Sequence, residues 1–341
     1  MTAAELLAAG PASTPFDIVR AAYAELLVAD LDTSERFYVD LLGLEVSERA
    51  HDRLYLRGWE ERHHHSLVLR RAAAPAVERL SFRVRSEDDL ATLGAVLEAR
   101  GCRVRRVAGD HAGMGSALRA WDPFGFPLEF FHEMAQDETR LQRFDLHRGA
   151  PIMRLDHFNL HSPRVEETFA FWQALGFRCS EYIATDGDPE RITGAWLLRK
   201  PTVHDLALTA GRGPRLHHVG LSVGEPMGVL RACDQLAAAG HAPAIERGPG
   251  RHGVSNAFFV YLRDPDGHRV ELYACDYYTG DPDLRPLRWS VSDPRCRSFW
   301  GARAPDSWYD ESSVVLGPDA APVAMSEAGV DERQARSEVM A

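Results

Sequence analysis

Arg263-Asp264-Pro265-Asp266-Gly267-His268-Arg269-Val270-Glu271-Leu272-Tyr273 has an earlier counterpart, Trp121-Asp122-Pro123-Phe124-Gly125-Phe126-Pro127-Leu128-Glu129-Phe130-Phe131. Each reads as a tight Asp-Pro-x-Gly turn running into an alternating strand that carries a Glu. A second pair of segments shows the same duplication. Residues 26–43 and 159–176 share a spacing that reads as strand, turn and amphipathic helix stopped by glycine. Segments near 80–84 and 219–223 alternate as strands and precede helices at 87–100 and 227–239. The chain therefore divides into four strand–helix–strands units, at about 20–72, 76–134, 153–211 and 213–276. The expected fold is α+β: four βαβββ modules paired into two barrel-like domains, 1–134 and 153–276. A polar linker spans 135–152, and 277–341 lies outside the repeat; its final stretch, from about Gly317, is poor in large apolar residues and expected to be mobile.

Composition narrows the class. At 341 residues, 45% apolar and 26% charged, the chain is ordinary for a globular protein. No apolar run is long enough to cross a bilayer, and no basic-then-apolar leader opens the sequence, so no membrane partner is expected. The net charge of −11 argues against nucleic acid. Five scattered cysteines without a Cys-x-x-Cys pair suggest neither a disulfide framework nor a thiolate zinc site, which fits a cytoplasmic protein.

Three residues of the second half carry the chemistry: His157 in Leu-Asp-His157-Phe-Asn159-Leu, His218 in Leu-His217-His218-Val-Gly220, and Glu271 after the turn. Two imidazoles and one carboxylate, with the remaining positions open, form the ligand set of non-haem Fe(II) oxygen enzymes; Mn(II) accepts it too. Overlaying the halves sets His157 on Ala24, His218 on Arg79 and Glu271 on Glu129. The first half keeps the carboxylate alone, so one metal per chain is expected. Glu271 by itself could belong to the turn, since Glu129 is there too; two histidines in one copy point to function. Strand residues i and i+2 share a face, so Asn159 should accompany His157. His217 should face away, as packing or as a support behind the ligands, unless it replaces His218 as ligand. The run His63-His64-His65 sits in the half without ligands, in a charged stretch, and reads as a loop.

Further motifs are Trp196, Thr202-Val-His204-Asp-Leu-Ala-Leu-Thr209, Arg247-x4-His252, Tyr261, Arg297-Ser-Phe-Trp-Gly301 and Ser307-Trp-Tyr309. With these, from about 15 to 312, the chain resembles the type I extradiol ring-cleaving dioxygenases of the vicinal oxygen chelate superfamily. More closely it resembles those acting on 3,4-dihydroxyphenylacetate. One departure is Cys296, where relatives tend to carry a second basic residue beside Arg297. The resemblance implies O2-dependent opening of a catecholic carboxylate at an Fe(II) or Mn(II) held by His157, His218 and Glu271. It implies His204 as acid–base catalyst with Tyr261 and Asn159 nearby, substrate contacts from Arg247, His252, Arg297 and Trp196, a C-terminal lid, and a homotetramer. From the residues alone, His204 is an ordinary strand histidine and Tyr261 a core aromatic. Related modules also serve dioxygenases of other catechols or biphenyl diols, glyoxalase-like metal isomerases, and binding proteins of the bleomycin-resistance type. A yellow ring-fission product that appears only with O2 separates cleavage from the last two.

Overall fold

The computed structural model describes residues 2–328. A short helix, α1 (Ala3–Ala9), precedes the repeat, with Thr2 and Glu5 capping it reciprocally. The first module is β1 (Ile18–Val28), α2 (Leu31–Glu35) continuing into a π-turn (Arg36–Leu41), β2 (Glu45–Arg49), β3 (Arg53–Arg57) and β4 (Leu67–Arg71). The second is β5 (Ala76–Val84), α3 (Glu87–Ala99), β6 (Arg103–Ala108), β7 (Ser116–Trp121) and β8 (Pro127–Phe131). The third is β9 (Ile152–Ser162), α4 (Val165–Ala174), β10 (Arg178–Ala184), β11 (Ile192–Leu198) and β12 (Leu206–Ala210). The fourth is β13 (Arg215–Val223), α5 (Pro226–Ala238), β14 (Ile245–Arg251), β15 (Phe258–Arg263) and β16 (Arg269–Ala274). The α+β class and the βαβββ repeat are thus as expected.

Modules join in pairs. The first sheet runs β2-β3-β4-β1-β5-β8-β7-β6, with β1 and β5 antiparallel at its centre and β4 and β8 parallel to them. The second repeats that order as β14-β15-β16-β13-β9-β12-β11-β10. The paired turns work through their aspartates. Asp122 Oδ1 accepts from the Phe124 and Phe126 amides at 3.0 and 2.8 Å. Asp264 Oδ1 accepts from the Asp266 and His268 amides at 3.0 and 2.7 Å. Gly125 and Gly267 take φ of +97° and +85°, which an L side chain resists.

The strand register corrects one correspondence. His157 pairs with Gly220 as Tyr23 pairs with Ser81, and Asn159 pairs with His218 as Glu25 pairs with Arg79. His157 therefore corresponds to Tyr23 rather than Ala24. The stretch from Val28 to Gly43 is one residue longer than that from Ser162 to Gly176. The extra residue is absorbed in the π-turn, where the Leu42 amide reaches the Phe37 carbonyl at 3.0 Å. An overlay anchored on the glycines slips by one in the strand.

The C-terminal segment packs on both barrels, the Leu316 amide bonding the Val77 carbonyl of the first at 3.1 Å. β17 (Leu287–Ser290) extends the sheet beside β10. α6 (Asp306–Asp310) buries Trp308, and β18 (Ser313–Val314) pairs with β13. Mobile chain was expected from about Gly317, but residues 317–328 close back on the fold. The Val323 amide bonds the Val315 carbonyl at 3.0 Å, and Gly213 and Ser326 exchange backbone bonds of 3.1 and 2.7 Å. Residues 329–341, also in that expectation, lie outside the described residues. Among the described residues no helix is long and apolar enough to cross a membrane.

Candidate metal centre and its cavity

His157 on β9, His218 on β13 and Glu271 on β16 come together in the second barrel, all buried, with one donor atom from each within 4.8 Å of the others. His157 Nε2 lies 3.0 Å from Glu271 Oε2 and 3.3 Å from His218 Nε2; His218 Nε2 lies 3.2 Å from the same oxygen. Among the described residues this is the one group with metal-holding geometry.

The surrounding bonds decide which nitrogens face inward. His217 Nε2 donates to the Trp308 carbonyl at 3.0 Å, so its Nδ1 is left to accept. That Nδ1 lies 2.6 Å from His218 Nδ1, which must therefore carry the hydrogen. His218 Nε2 is then a bare lone pair. His157 Nδ1 donates to Asp156 Oδ2 at 3.2 Å, which likewise frees its Nε2. Two lone pairs and a carboxylate oxygen thus converge on one point, a donor set suited to a divalent cation. Burial holds His218 at about 4, further favouring the neutral ring. Burial also opposes charge on His157, but Asp156 and Glu271 outweigh it and raise its pKa.

His217 does not face away. Leu216 pairs with Leu160 and His218 with Asn159, so His217 is the extra residue of a β-bulge. The bulge breaks alternation and sends both imidazoles into the barrel. His217 lines, with Asn159, Arg297 and Trp308, a cavity of about 320 Å³.

His204 lies over the metal cluster, its ring centroid 3.9 Å from that of His157. Burial, then the neighbouring His157, push its pKa well down, and its Nδ1 has no hydrogen-bond partner. Tyr261 is kept protonated by burial and by Glu271. Its hydroxyl donates to His252 Nε2 at 2.8 Å, because His252 Nδ1 donates to the Arg297 carbonyl at 2.5 Å. Asn159 accepts from the Thr209 hydroxyl at 2.9 Å. Arg247 is buried against Trp308, its guanidinium carbon 4.4 Å from the ring centroid. Its Nη2 donates to the Arg297 carbonyl and the Ser298 hydroxyl, while Nε and Nη1 have no hydrogen-bond partner. Arg297 lies over Trp196 at 5.6 Å, so Trp196 supports the arginine that lines the cavity. His63, His64 and His65 form no such cluster; His63 bonds Arg20 and His64 approaches Glu48.

The parts played by Gly220 and by the bulge at His217 emerge only in the folded chain. A Cβ on Gly220 would stand 2.2, 2.3 and 2.5 Å from three atoms of the His157 ring. A lone Gly inside a strand pattern is the signal that such contacts leave.

The first half fills the corresponding place with a fixed cation. Arg79 Nη1 is 3.1 Å from Glu129 and its Nε is 2.9 Å from Glu25, both carboxylates fully buried. Tyr23 donates to Glu129, and His111 Nε2 lies 2.9 Å from Arg79 Nη1. Arg79→Met takes one buried partner from each carboxylate, leaving Glu129 with Arg119 at 3.0 Å and Glu25 with Arg70 at 3.2 Å, and should lower stability by about 1.5–3 kcal/mol in urea unfolding. The folded fraction should keep its metal content. A loss under about 1 kcal/mol contradicts this account of the pair.

The comparisons agree with the geometry. The profile of the Glyoxalase/Bleomycin resistance protein/Dioxygenase superfamily matches residues 20–130 and 154–272. A manganese-dependent 2,3-dihydroxybiphenyl 1,2-dioxygenase of Geobacillus genomosp. 3 is 32% identical over 83% of this chain and 94% of its own length. A metapyrocatechase of Geobacillus stearothermophilus is 32% identical over 88% and 95%. The homoprotocatechuate 2,3-dioxygenase of Brevibacterium fuscum, solved as an anaerobic complex with 3,4-dihydroxyphenylacetate, superposes with a TM-score of 0.89. It is 46% identical, over 93% of this chain and 99% of that one.

Proposed function

This chain belongs to the Glyoxalase/Bleomycin resistance protein/Dioxygenase superfamily, and on that premise we propose that it opens 3,4-dihydroxyphenylacetate with O2, giving 5-carboxymethyl-2-hydroxymuconic semialdehyde. Extradiol cleavage of a catechol is its activity. The carboxymethyl arm is the part of the substrate that rests on our own reading. The observation that carries it is Arg247: a buried guanidinium with two nitrogens lacking partners, at the barrel that holds the metal cluster. An uncompensated buried cation is costly, and a substrate carboxylate would supply the missing acceptor in a bidentate geometry.

His157, His218 and Glu271 would hold the Fe(II) or Mn(II). A metal held there would supply the acidity that ionises the catechol hydroxyls and a site at which catechol and O2 meet. His217 and Asp156 orient the two imidazoles. His204, neutral and with a free Nδ1, takes a proton from the substrate and returns it on ring opening. Tyr261 and His252 form a hydrogen-bonded pair beside Glu271 that can turn toward substrate oxygen. Asn159 shapes the cavity, and Trp196 backs Arg297 at its wall. Arg297, on the tail that acts as lid, joins Arg247 at the carboxylate. The homotetramer that the resemblance implies is open to light scattering.

A substrate panel tests the reading. 3,4-Dihydroxyphenylacetate should give a higher kcat/KM than 4-methylcatechol or 2,3-dihydroxybiphenyl; preference for the uncharged biphenyl diol overturns the substrate. His204→Asn should cut kcat by about a hundredfold or more, the usual worth of a positioned acid–base group, while metal content stays at wild-type level. Unchanged turnover across catechols of differing electron demand removes His204 from the role.

A further inference from the structure

The two halves meet at a second cleft, of about 400 Å³, apart from the cavity that His217 and Arg297 line and from the His157–His218–Glu271 cluster. The first half contributes Arg20, Arg62, His63 and Arg83 to it; the second contributes Arg154 and Lys200. We propose that this cleft is a binding site for a small oxyanion with two negative charges, such as inorganic phosphate or an aliphatic dicarboxylate.

The argument is one of uncompensated charge. The chain as a whole carries −11, yet five cationic side chains face this cleft. Its two carboxylates are already committed. Glu60 lies 2.9 Å from Arg154 Nη1. Glu61 is buried and accepts from the Gly58 amide and the Ser66 hydroxyl, both at 2.6 Å. Lys200 is held by Asp205 at 3.2 Å and by the Asp156 and His204 carbonyls at 2.7 and 2.6 Å. That leaves Arg20, Arg62 and Arg83 with no carboxylate within 4 Å among the described residues, although Arg20 still acts on Glu61 from beyond that distance. Arg20 and Arg83 are half-buried, so water does not fully screen them.

Their mutual effect is visible in the neighbours. Burial, then Arg20, lower the pKa of Arg83. Burial, then Arg20 and Arg83, push His63 down to about 4. His63 is therefore neutral, and Arg20 Nη2 donates to its Nδ1 at 2.9 Å. The hydrogen must then sit on His63 Nε2, which adds a neutral donor among guanidinium forks. Forks of this kind match carboxylate and phosphate oxygens two at a time. The site also touches the catalytic half: Arg154 and Lys200 lie 3.3 and 3.6 Å from the carboxylate of Asp156, which orients His157.

The test is calorimetric titration of the metal-loaded full chain with inorganic phosphate and with succinate, at constant ionic strength set by chloride. We expect saturable binding of one anion per chain. The double variant Arg20→Gln/Arg83→Gln should weaken it at least tenfold, and Arg62→Gln, an exposed position, should weaken it severalfold even if the double variant does not fold. Preference for phosphate or for succinate identifies the source of the oxyanion, and either supports the site. Three results overturn it: no saturable heat above chloride, an isotherm that survives both sets of substitutions, or full displacement of the anion by a catechol. The last would place the anion on the metal.

Discussion

Gly220→Ala should cost the protein its metal and its turnover together. The added methyl would meet the His157 ring at 2.2–2.5 Å, where no side chain can sit. The ring cannot yield easily, because Asp156 holds its Nδ1 and His204 packs on its face. Either His157 Nε2 leaves the cluster or β9 and β13 part. Loss of an outer partner that merely orients a ligand costs about 10–100-fold in metal affinity; displacing the ligand itself should reach about a hundredfold or more. Metal titration with parallel circular dichroism measures this. Native metal content in a folded Gly220→Ala protein would show that the strands accommodate the methyl and that the contact is unimportant.

Arg247→Ala should separate substrates by their arms. A charge-assisted hydrogen bond is worth on the order of 1.5–3 kcal/mol, and every 1.4 kcal/mol is about tenfold. Removing Arg247 should therefore weaken 3,4-dihydroxyphenylacetate by roughly ten- to a hundredfold, and Arg297→Ala should act in the same direction. 4-Methylcatechol, which carries no carboxylate, should change little. Steady-state kinetics on both substrates decide it. Equal losses would mean that Arg247 matters for packing against Trp308 and for anchoring residues 297–298, and the assignment of the arm would fail.

The strongest signals in the sequence were those set by local chemistry. Asp-Pro-x-Gly announces its turn because the Asp carboxylate satisfies two amides of the loop and glycine takes the positive φ. The repeat follows from two such turns at matching distances, and the His157–His218–Glu271 grouping follows from laying the copies side by side. What stayed hidden were one-residue irregularities. The π-turn at 36–41 shifts the first helix against its strand, so Tyr23 took the guise of Ala24. The bulge at His217 reverses the inward–outward alternation on which its placement rested. Neither irregularity alters composition or periodicity enough to be seen in one chain. The closing of 317–328 over Gly213 depends mainly on backbone bonds, with small apolar contacts from Val315 and Val323. Its side chains gave no hint of it.

Arg79 shows how two copies of one scaffold diverged. Both barrels set a carboxylate at the third residue of the same turn-led strand, and both need a positive charge beside it. In the first, Arg79 supplies it permanently; in the second, His218 occupies that register position and leaves the charge to an exchangeable ion.

The central claim is opening of the catechol ring beside its two hydroxyls at the His157–His218–Glu271 centre. Its most direct test is a single incubation of Fe(II)- or Mn(II)-loaded protein with 3,4-dihydroxyphenylacetate under isotopically labelled O2, followed by mass spectrometry of the product. The account predicts a yellow 5-carboxymethyl-2-hydroxymuconic semialdehyde with both labelled atoms, and no product from Glu271→Gln. A colourless diacid from cleavage between the hydroxyls, or unaltered catechol, would contradict it.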